Sequence, residues 1–410
     1  MKKANCLIAQ SGGPTAAINA TLYGICNAAF KSRDIQTIYG GLNGIEGIKN
    51  GNVLNLERLI ADKRFELLKT TPSSFLGSCR YKLKSAEENK EDYEKIFALF
   101  KKLDIKYFFY IGGNDSMDTI LKLKRYQQNL CEDEKVILVG VPKTIDNDLC
   151  CTDHTPGFGS AAKYIATSIK EIAWDTSVYD MDSIIVAEVM GRNAGWLALS
   201  AGLSRDMNGR CVSDLIYLPE NPFDLDSLIE DIQTVRQQKK QIVITVSEGI
   251  AYSDKTLVAE SQKKDVFGHG QLGGAAKTVA EYIKLKLGVK VRAVELNVLQ
   301  RCASHCLSKT DIDESVLTGE KAVSFALENN SGIMVTCTRL SDRPYDVNIG
   351  FDNIENIANL VKTVPQSYMN SGKNGVSQDG LDYLLPLVEG EIMPPYNNGT
   401  PVYIKLDDIY

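Results

Sequence analysis

No apolar run in this 410-residue chain approaches the ~18–20 residues that a membrane-spanning helix needs, so no span is expected. Nor does the start resemble a secretory leader. Met1-Lys2-Lys3 is followed by a short apolar stretch, 6–9, that stops at Gln10-Ser11-Gly12-Gly13. The ten cysteines are scattered without framework spacing, which excludes a disulfide scaffold and suits reduced thiols in the cytoplasm. Positive charge is not in excess: the net charge is −6, which argues against a broad nucleic-acid surface. Internal repeats, low-complexity tracts and long linkers are missing too. Two nucleotide signatures are also absent. No Gly-Lys-Ser/Thr follows the first glycine turn as a Walker A loop requires, and no Gly-x-Gly-x-x-Gly opens the first helix.

What is present is a folded composition, 44% apolar and 24% charged. The length exceeds one ordinary core, so two α/β domains are expected. The pattern repeats strand, turn, helix. Strands are expected at 5–10, 35–39, 107–111, 136–141, 183–189, 215–218, 242–246 and 292–296. A helix at 15–31 carries Ile18, Leu22, Ile25 and Ala29 on one side, and a charged helix spans 82–102. Strands separated by helices imply mainly parallel sheets covered on both faces. The tail after Val364, rich in proline, reads as extended. Cys302, His305 and Cys306 share one face of an expected helix, but no second ligand pair completes a tetrahedral set, so a packed helix face is the reading.

The distinctive polar clusters follow directly after expected strands, the edge where open α/β sheets bind ligands. Gln10-Ser11-Gly12-Gly13-Pro14 lets backbone N–H groups approach a phosphate at a helix N-terminus. Gly112-Gly113-Asn114-Asp115-Ser116 repeats that logic with a carboxylate in the turn, although Asp115 or Ser116 could equally cap the next helix. Pro142-Lys143-Thr144-Ile145-Asp146-Asn147-Asp148 holds two carboxylates and a lysine in one turn. Transfer of a phosphoryl group to an alcohol needs a carboxylate to take the proton, which suits Asp146. Asp148 can orient that base or contribute to a metal shell, and Lys143 supplies charge to the transferring group. A capped Asx-turn is the alternative. Arg192, in Met190-Gly191-Arg192, suits a phosphate or carboxylate. Glu248, which can only accept hydrogen bonds, suits sugar hydroxyls. Arg292 and Arg301 bracket the last strand and can clamp a phosphate ester.

In this order the motifs resemble the phosphofructokinase family over about three quarters of the chain: Gly-Gly-Asn-Asp-Ser, Thr-Ile-Asp-Asn-Asp, Glu-Val-Met-Gly-Arg, Ser-Glu-Gly and Gln-Arg. The tail, with Pro386-Leu387 and Gly390-Glu391, is similar to pyrophosphate-using members. The resemblance implies two stacked, doubly wound, Rossmann-like domains. Residues 1–150 with about 302–350 would take the phosphoryl donor, 151–301 the sugar phosphate, and 351–410 would be an extension packed on both. It implies Mg2+, a homodimer or homotetramer, and reversible phosphorylation of fructose 6-phosphate on its 1-hydroxyl. Asp146 would be the base. Thr144, Ile145, Asp148, Met190, Gly191, Arg192, Glu248, Arg292 and Arg301 would line the sugar phosphate. Gly12, Gly13, Arg80, Gly113 and Ser116 would hold the donor.

Two positions bear on the donor. Where ATP-using bacterial members usually carry glycine, this chain has Asp115 and Lys143. Asp115 would repel a nucleotide α-phosphate, and Lys143 would serve the smaller pyrophosphate. Three positions depart from the family pattern. Asn114 replaces an acidic residue of the magnesium site, leaving it and Asp148 as metal candidates with phosphates and water supplying the rest. Ser183 and Val298 replace residues that elsewhere shape the sugar-phosphate pocket. ATP as donor, sedoheptulose 7-phosphate as a further acceptor, and an inactive sugar-phosphate-binding subunit remain as alternative readings.

Overall fold

The computed structural model describes residues 3–259 and 274–410. The chain opens with β1 (Ala4–Gln10), β2 (Ile35–Gly41), β3 (Val53–Asn55), β4 (Ile105–Gly112) and β5 (Ile137–Pro142), all in one sheet. It then builds a second sheet from β6 (Ser183–Val189), β7 (Leu215–Tyr217), β8 (Gln241–Ser247) and β9 (Lys290–Glu295), in the order β7-β8-β6-β9 and parallel throughout. After the short β10 (Leu307–Ser308) it returns to the first sheet as the hairpin β11 (Ile333–Asp342) and β12 (Tyr345–Asn353). The first sheet therefore runs β12-β11-β5-β4-β1-β2-β3, with β3 and β12 antiparallel at its edges. Both sheets are the mainly parallel, doubly wound kind.

Burial on two faces explains why these strands lack a polar–apolar alternation. Cys6 and Ile8 of β1 enter one apolar layer while Leu7 and Ala9 enter the opposite one. Phe109 and Ile111 of β4 divide from Phe108 and Tyr110 in the same way. The helix Ile18–Lys31 lies against the helix Lys309–Leu327 at backbone distance. A Cβ on Gly24 would meet the Val316 carbonyl oxygen at 2.1 Å, and one on Gly319 the Thr21 carbonyl oxygen at 2.3 Å. A third apolar cluster beneath β6 and β8 gathers Phe158, Trp196, Ile216 and Tyr383.

Several local expectations need correction. The first helix begins at Ile18, because Thr15 Oγ1 accepts from the N–H of Ile18 at 2.9 Å and ends the turn before it. The charged helix begins at Lys90. Cys302, His305 and Cys306 do not share a helix face: two short 3-10 turns, Asn297–Arg301 and Ser304–Cys306, break there, and His305 stands edge-on to Tyr164 with ring centres 6.2 Å apart. The tail is not simply extended. It carries the helix Gln378–Leu384 and a short strand, β13 (Glu391–Ile392), paired with β10. Among the described residues no helix is long and apolar enough to cross a membrane.

Candidate active site

β1 lies between β2 and β4, so successive crossovers leave it in opposite directions and open a crevice at its carboxyl end. The first turn, Ser11-Gly12-Gly13, sits there. Gly12 is left-handed at φ +78°, and a Cβ on it would lie 3.3 Å from Lys143 Nζ. Ser78 Oγ donates to the Gly12 carbonyl oxygen at 2.6 Å, and the Gly12 N–H donates to the Cys79 carbonyl oxygen at 3.4 Å. This brings the 77–80 segment, with exposed Arg80 at its end, beside the turn.

After β4 the helix Asn114–Gln127 is capped at Gly113 with no side-chain cap, so neither Asp115 nor Ser116 fills that role. Ser116 folds over Gly112, where a Cβ would meet its Oγ at 1.9 Å. Asp115 is exposed in the first helical turn, 3.7 Å from Lys82. Asn114 turns elsewhere: its Oδ1 accepts from the N–H of Asn359 at 2.7 Å and its Nδ2 donates to the Leu360 carbonyl oxygen at 2.5 Å.

The turn after β5 holds the carboxylates. The N–H of Asp146 donates to Thr144 Oγ1 at 3.1 Å, a Ser/Thr-type turn in place of the Asx-turn alternative. The Thr144 carbonyl oxygen accepts from Thr155 Oγ1 at 2.8 Å. Ile145 sends its side chain into the apolar cluster with Phe158 and Trp196 and does not join the polar group. Asn147, fully buried and left-handed at φ +54°, separates the two carboxylates.

From the second sheet, Gly191 and Arg192 follow β6, both at positive φ. The N–H of Arg192 donates to Glu248 Oε1 at 3.1 Å. Gly249 must be glycine, since a Cβ there would lie 1.6 Å from the Arg192 carbonyl oxygen. The N–H of Met190 donates to Gln300 Oε1 at 3.1 Å. Arg301 reaches back to the first sheet, its Nη1 lying 3.4 Å from the Cβ position of Gly13.

These groups act on one another. Burial pushes Asp146 above the ordinary carboxylate range, against the opposing pull of Arg192, Lys143 and Arg301. Asp148 rises to about 6 through burial and the neighbouring charge of Asp146. Burial lifts Glu248 to about 7, with the Arg192 N–H opposing and Asp146 adding to the rise. Burial lowers Lys143 to about 8, while Asp146 and Asp148 hold its proton. Arg292 stands apart, exposed on edge strand β9 beside a pocket lined by Asp175, Tyr179 and Met181. The arrangement can bind polyanions, accept a proton and offset negative charge developing on oxygen.

Sequence reasoning missed the tail residues that meet this loop, Lys362 and Tyr383. Asn147 Nδ2 donates to the Tyr383 hydroxyl at 2.8 Å, and Lys362 Nζ donates to Asn147 Oδ1 at 3.2 Å. No local motif marks either residue.

A family model described as Phosphofructokinase matches residues 5–325. A pyrophosphate–fructose 6-phosphate 1-phosphotransferase of Methylococcus capsulatus is 40% identical over 100% of this chain and 97% of its own length. One of Halomonas elongata is 40% identical over 99% and 97%. The crystal structure of a pyrophosphate-dependent phosphofructokinase from Nitrosospira multiformis superposes with a TM-score of 0.89 at 36% identity, covering 99% of this chain and 97% of that one. With motifs, fold and full-length relatives in agreement, the chain belongs to the phosphofructokinase family.

Proposed function

We propose that this enzyme transfers a phosphoryl group from pyrophosphate to the 1-hydroxyl of fructose 6-phosphate, giving fructose 1,6-bisphosphate and phosphate. The observation that carries the proposal is that Lys143 and Arg301 meet at the first glycine turn, Lys143 donating to the Gly13 carbonyl oxygen at 2.7 Å and Arg301 Nη1 lying 3.4 Å from the Gly13 Cβ position, while both, with Arg192, pull on the buried Asp146 carboxylate. Full-length relatives named for the same reaction support it. Asp146 takes the hydroxyl proton as the sugar oxygen attacks the terminal phosphorus. The bond to the bridging oxygen breaks, and the leaving phosphate departs with its electron pair. A raised proton affinity suits this base, since a more basic carboxylate accepts a proton more readily. Lys143, beside the Gly12-Gly13 turn, offsets charge on the transferring group. Gly113, Ser116 and Arg80 complete the donor side, with Asp115 excluding a longer nucleotide.

On the acceptor side, Thr144, Met190, Gly191, Arg192, Glu248 and Arg301 hold the sugar phosphate, and Ile145 contributes backbone alone. The part built on the first sheet takes pyrophosphate, the part built on the second takes the sugar, and the segment from 351 packs on both. Magnesium fits a site of hard carboxylate oxygens at Asp148 beside Asp146, where it would neutralise phosphate charge. Asn114 spends its amide oxygen on Asn359, so it serves as a tie to the tail. Exposed Tyr179 and Met181 line one pocket with Arg292, and exposed Trp174 and Val178 stand next to them in sequence, a face suited to a second copy in a homo-oligomer. The test is magnesium-dependent turnover of fructose 6-phosphate with pyrophosphate as sole donor. Activity supports the assignment; a folded enzyme that uses only ATP overturns the choice of donor.

A further inference from the structure

The carboxylate turn is tied down by a stretch more than two hundred residues away in sequence. Within 359–364 the chain touches three site turns in succession. Asn359 and Leu360 hold both ends of the Asn114 amide after β4. The N–H of Lys362 donates to the Asp148 carbonyl oxygen at 2.8 Å after β5. The Trp196 indole N–H, beyond β6, donates to the Lys362 carbonyl oxygen at 3.0 Å. The N–H of Val364 donates to Glu220 Oε1 at 2.8 Å, and that same oxygen accepts from the N–H of Gly195 at 2.9 Å.

Lys362 is the hub. Its ammonium donates to Asn147 Oδ1 at 3.2 Å, to the Thr152 carbonyl oxygen at 3.0 Å and to the Asp153 carbonyl oxygen at 2.6 Å. An ammonium has three protons, and all three are used on one loop. A second tail residue reinforces the grip, because the Tyr383 hydroxyl accepts from Asn147 and donates to the Asp153 carbonyl oxygen at 2.8 Å. Asn147 lies between Asp146 and Asp148 in a left-handed conformation and is held at both ends of its amide.

We propose that Lys362 is a positioning residue for phosphoryl transfer, the centre of a strap over 359–364 that sets the orientation of Asp146 and Asp148 and fixes the donor and acceptor turns relative to them. It acts through Asn147 and the Asp148 backbone. Displacing a reacting group by about 1 Å can cost up to ~10²-fold in rate, so a fixed loop matters more to turnover than to binding. The inference rests on Asp146 as the base.

The test compares wild type, Lys362→Met, Lys362→Arg and Tyr383→Phe in full-length protein with pyrophosphate and fructose 6-phosphate. K362M should lose at least about 10-fold in kcat per active site while KM for each substrate changes less than about threefold. K362R keeps the positive charge without the three converging bonds, so it should recover only part of kcat. A merely structural role would lower Tm and the active fraction and leave kcat per active site unchanged; that result overturns the proposal. Should K362M not fold, Y383F decides: a kcat loss of about threefold or more at constant KM supports the strap, and wild-type kcat refutes it. A wild type inactive with pyrophosphate would overturn the proposed function and this inference together, whereas an active wild type with an equally active K362M overturns this inference alone.

Discussion

The ammonium of Lys143 donates to the carbonyl oxygen of Gly13 at 2.7 Å, so a cation that leaves β5 is folded back onto the turn that leaves β1. Its nitrogen lies 3.3 Å from the Cβ position of Gly12, and the left-handed φ of +78° there also favours glycine. The Gly12-Gly13 turn and the Lys143 ammonium are thus one unit, although 130 residues separate them in sequence. On the proposed reading, pyrophosphate, with no nucleoside to anchor it, would be held by this compact unit.

Replacing both donor-side residues, Asp115→Gly with Lys143→Gly, should lower kcat/KM for pyrophosphate by at least about 10²-fold. Activity with ATP should gain only slightly, because two substitutions do not build an adenine pocket. Initial rates with each donor decide. An unchanged pyrophosphate rate in the folded double variant contradicts the role given to this pair.

Asp146→Ala should leave pyrophosphate and sugar binding largely intact while kcat falls at least ~10²-fold. Calorimetric titration with each substrate, beside steady-state rates, separates binding from chemistry. Near-normal turnover in a folded variant excludes Asp146 as the base.

The pH profile should fall on both sides. The base must be unprotonated, and burial holds Asp146 above the ordinary carboxylate range with Asp148 at about 6, so kcat should drop as pH falls through that region. Lys143 must stay charged, and burial brings it to about 8, so kcat should drop again above that pH. Asp148→Asn removes a negative charge next to the base and should move the acid limb to lower pH. A limb that stays in place would separate Asp148 from the titration.

Stability should depend on a buried imidazole outside the site. His154 Nδ1 lies 2.8 Å from Asp153 Oδ1 and its Nε2 lies 2.5 Å from Glu314 Oε2, with Arg339, Tyr345 and Cys337 around them. Burial works against the charged ring, but Glu314 and Asp153 outweigh it and hold its pKa well above 6.5. A proton affinity raised on folding gives stability that is complete below the unfolded pKa and is lost as pH rises through the folded value. His154→Gln should cost about 3 kcal/mol at pH values near 6. The gap from wild type should narrow in alkaline buffer, as thermal unfolding at both pH values would show.

Much of this was legible because the site is written in short motifs at strand ends. Lys143, Asp146 and Asp148 stand within one turn, and glycines mark the neighbouring turns at Gly12-Gly13 and Gly191. Chain pieces whose meaning depends on distant partners were not legible. The β11–β12 hairpin completes the first sheet, yet half of β11 is uniformly buried and half alternates, so no single period marks it. Lys362 in a linking segment looks like any surface lysine until Asn147, Thr152 and Asp153 are brought around it. Asn114 looked like a weakened metal ligand because its family position suggested one, whereas its amide is spent on the tail.

The most direct test of the central claim is the initial rate with fructose 6-phosphate and magnesium, with pyrophosphate or ATP as the only donor. Turnover is expected with pyrophosphate and little or none with ATP. A preference for ATP would contradict the reading of Asp115 and Lys143 while leaving Asp146 as base; no turnover with either donor would contradict the proposed reaction itself.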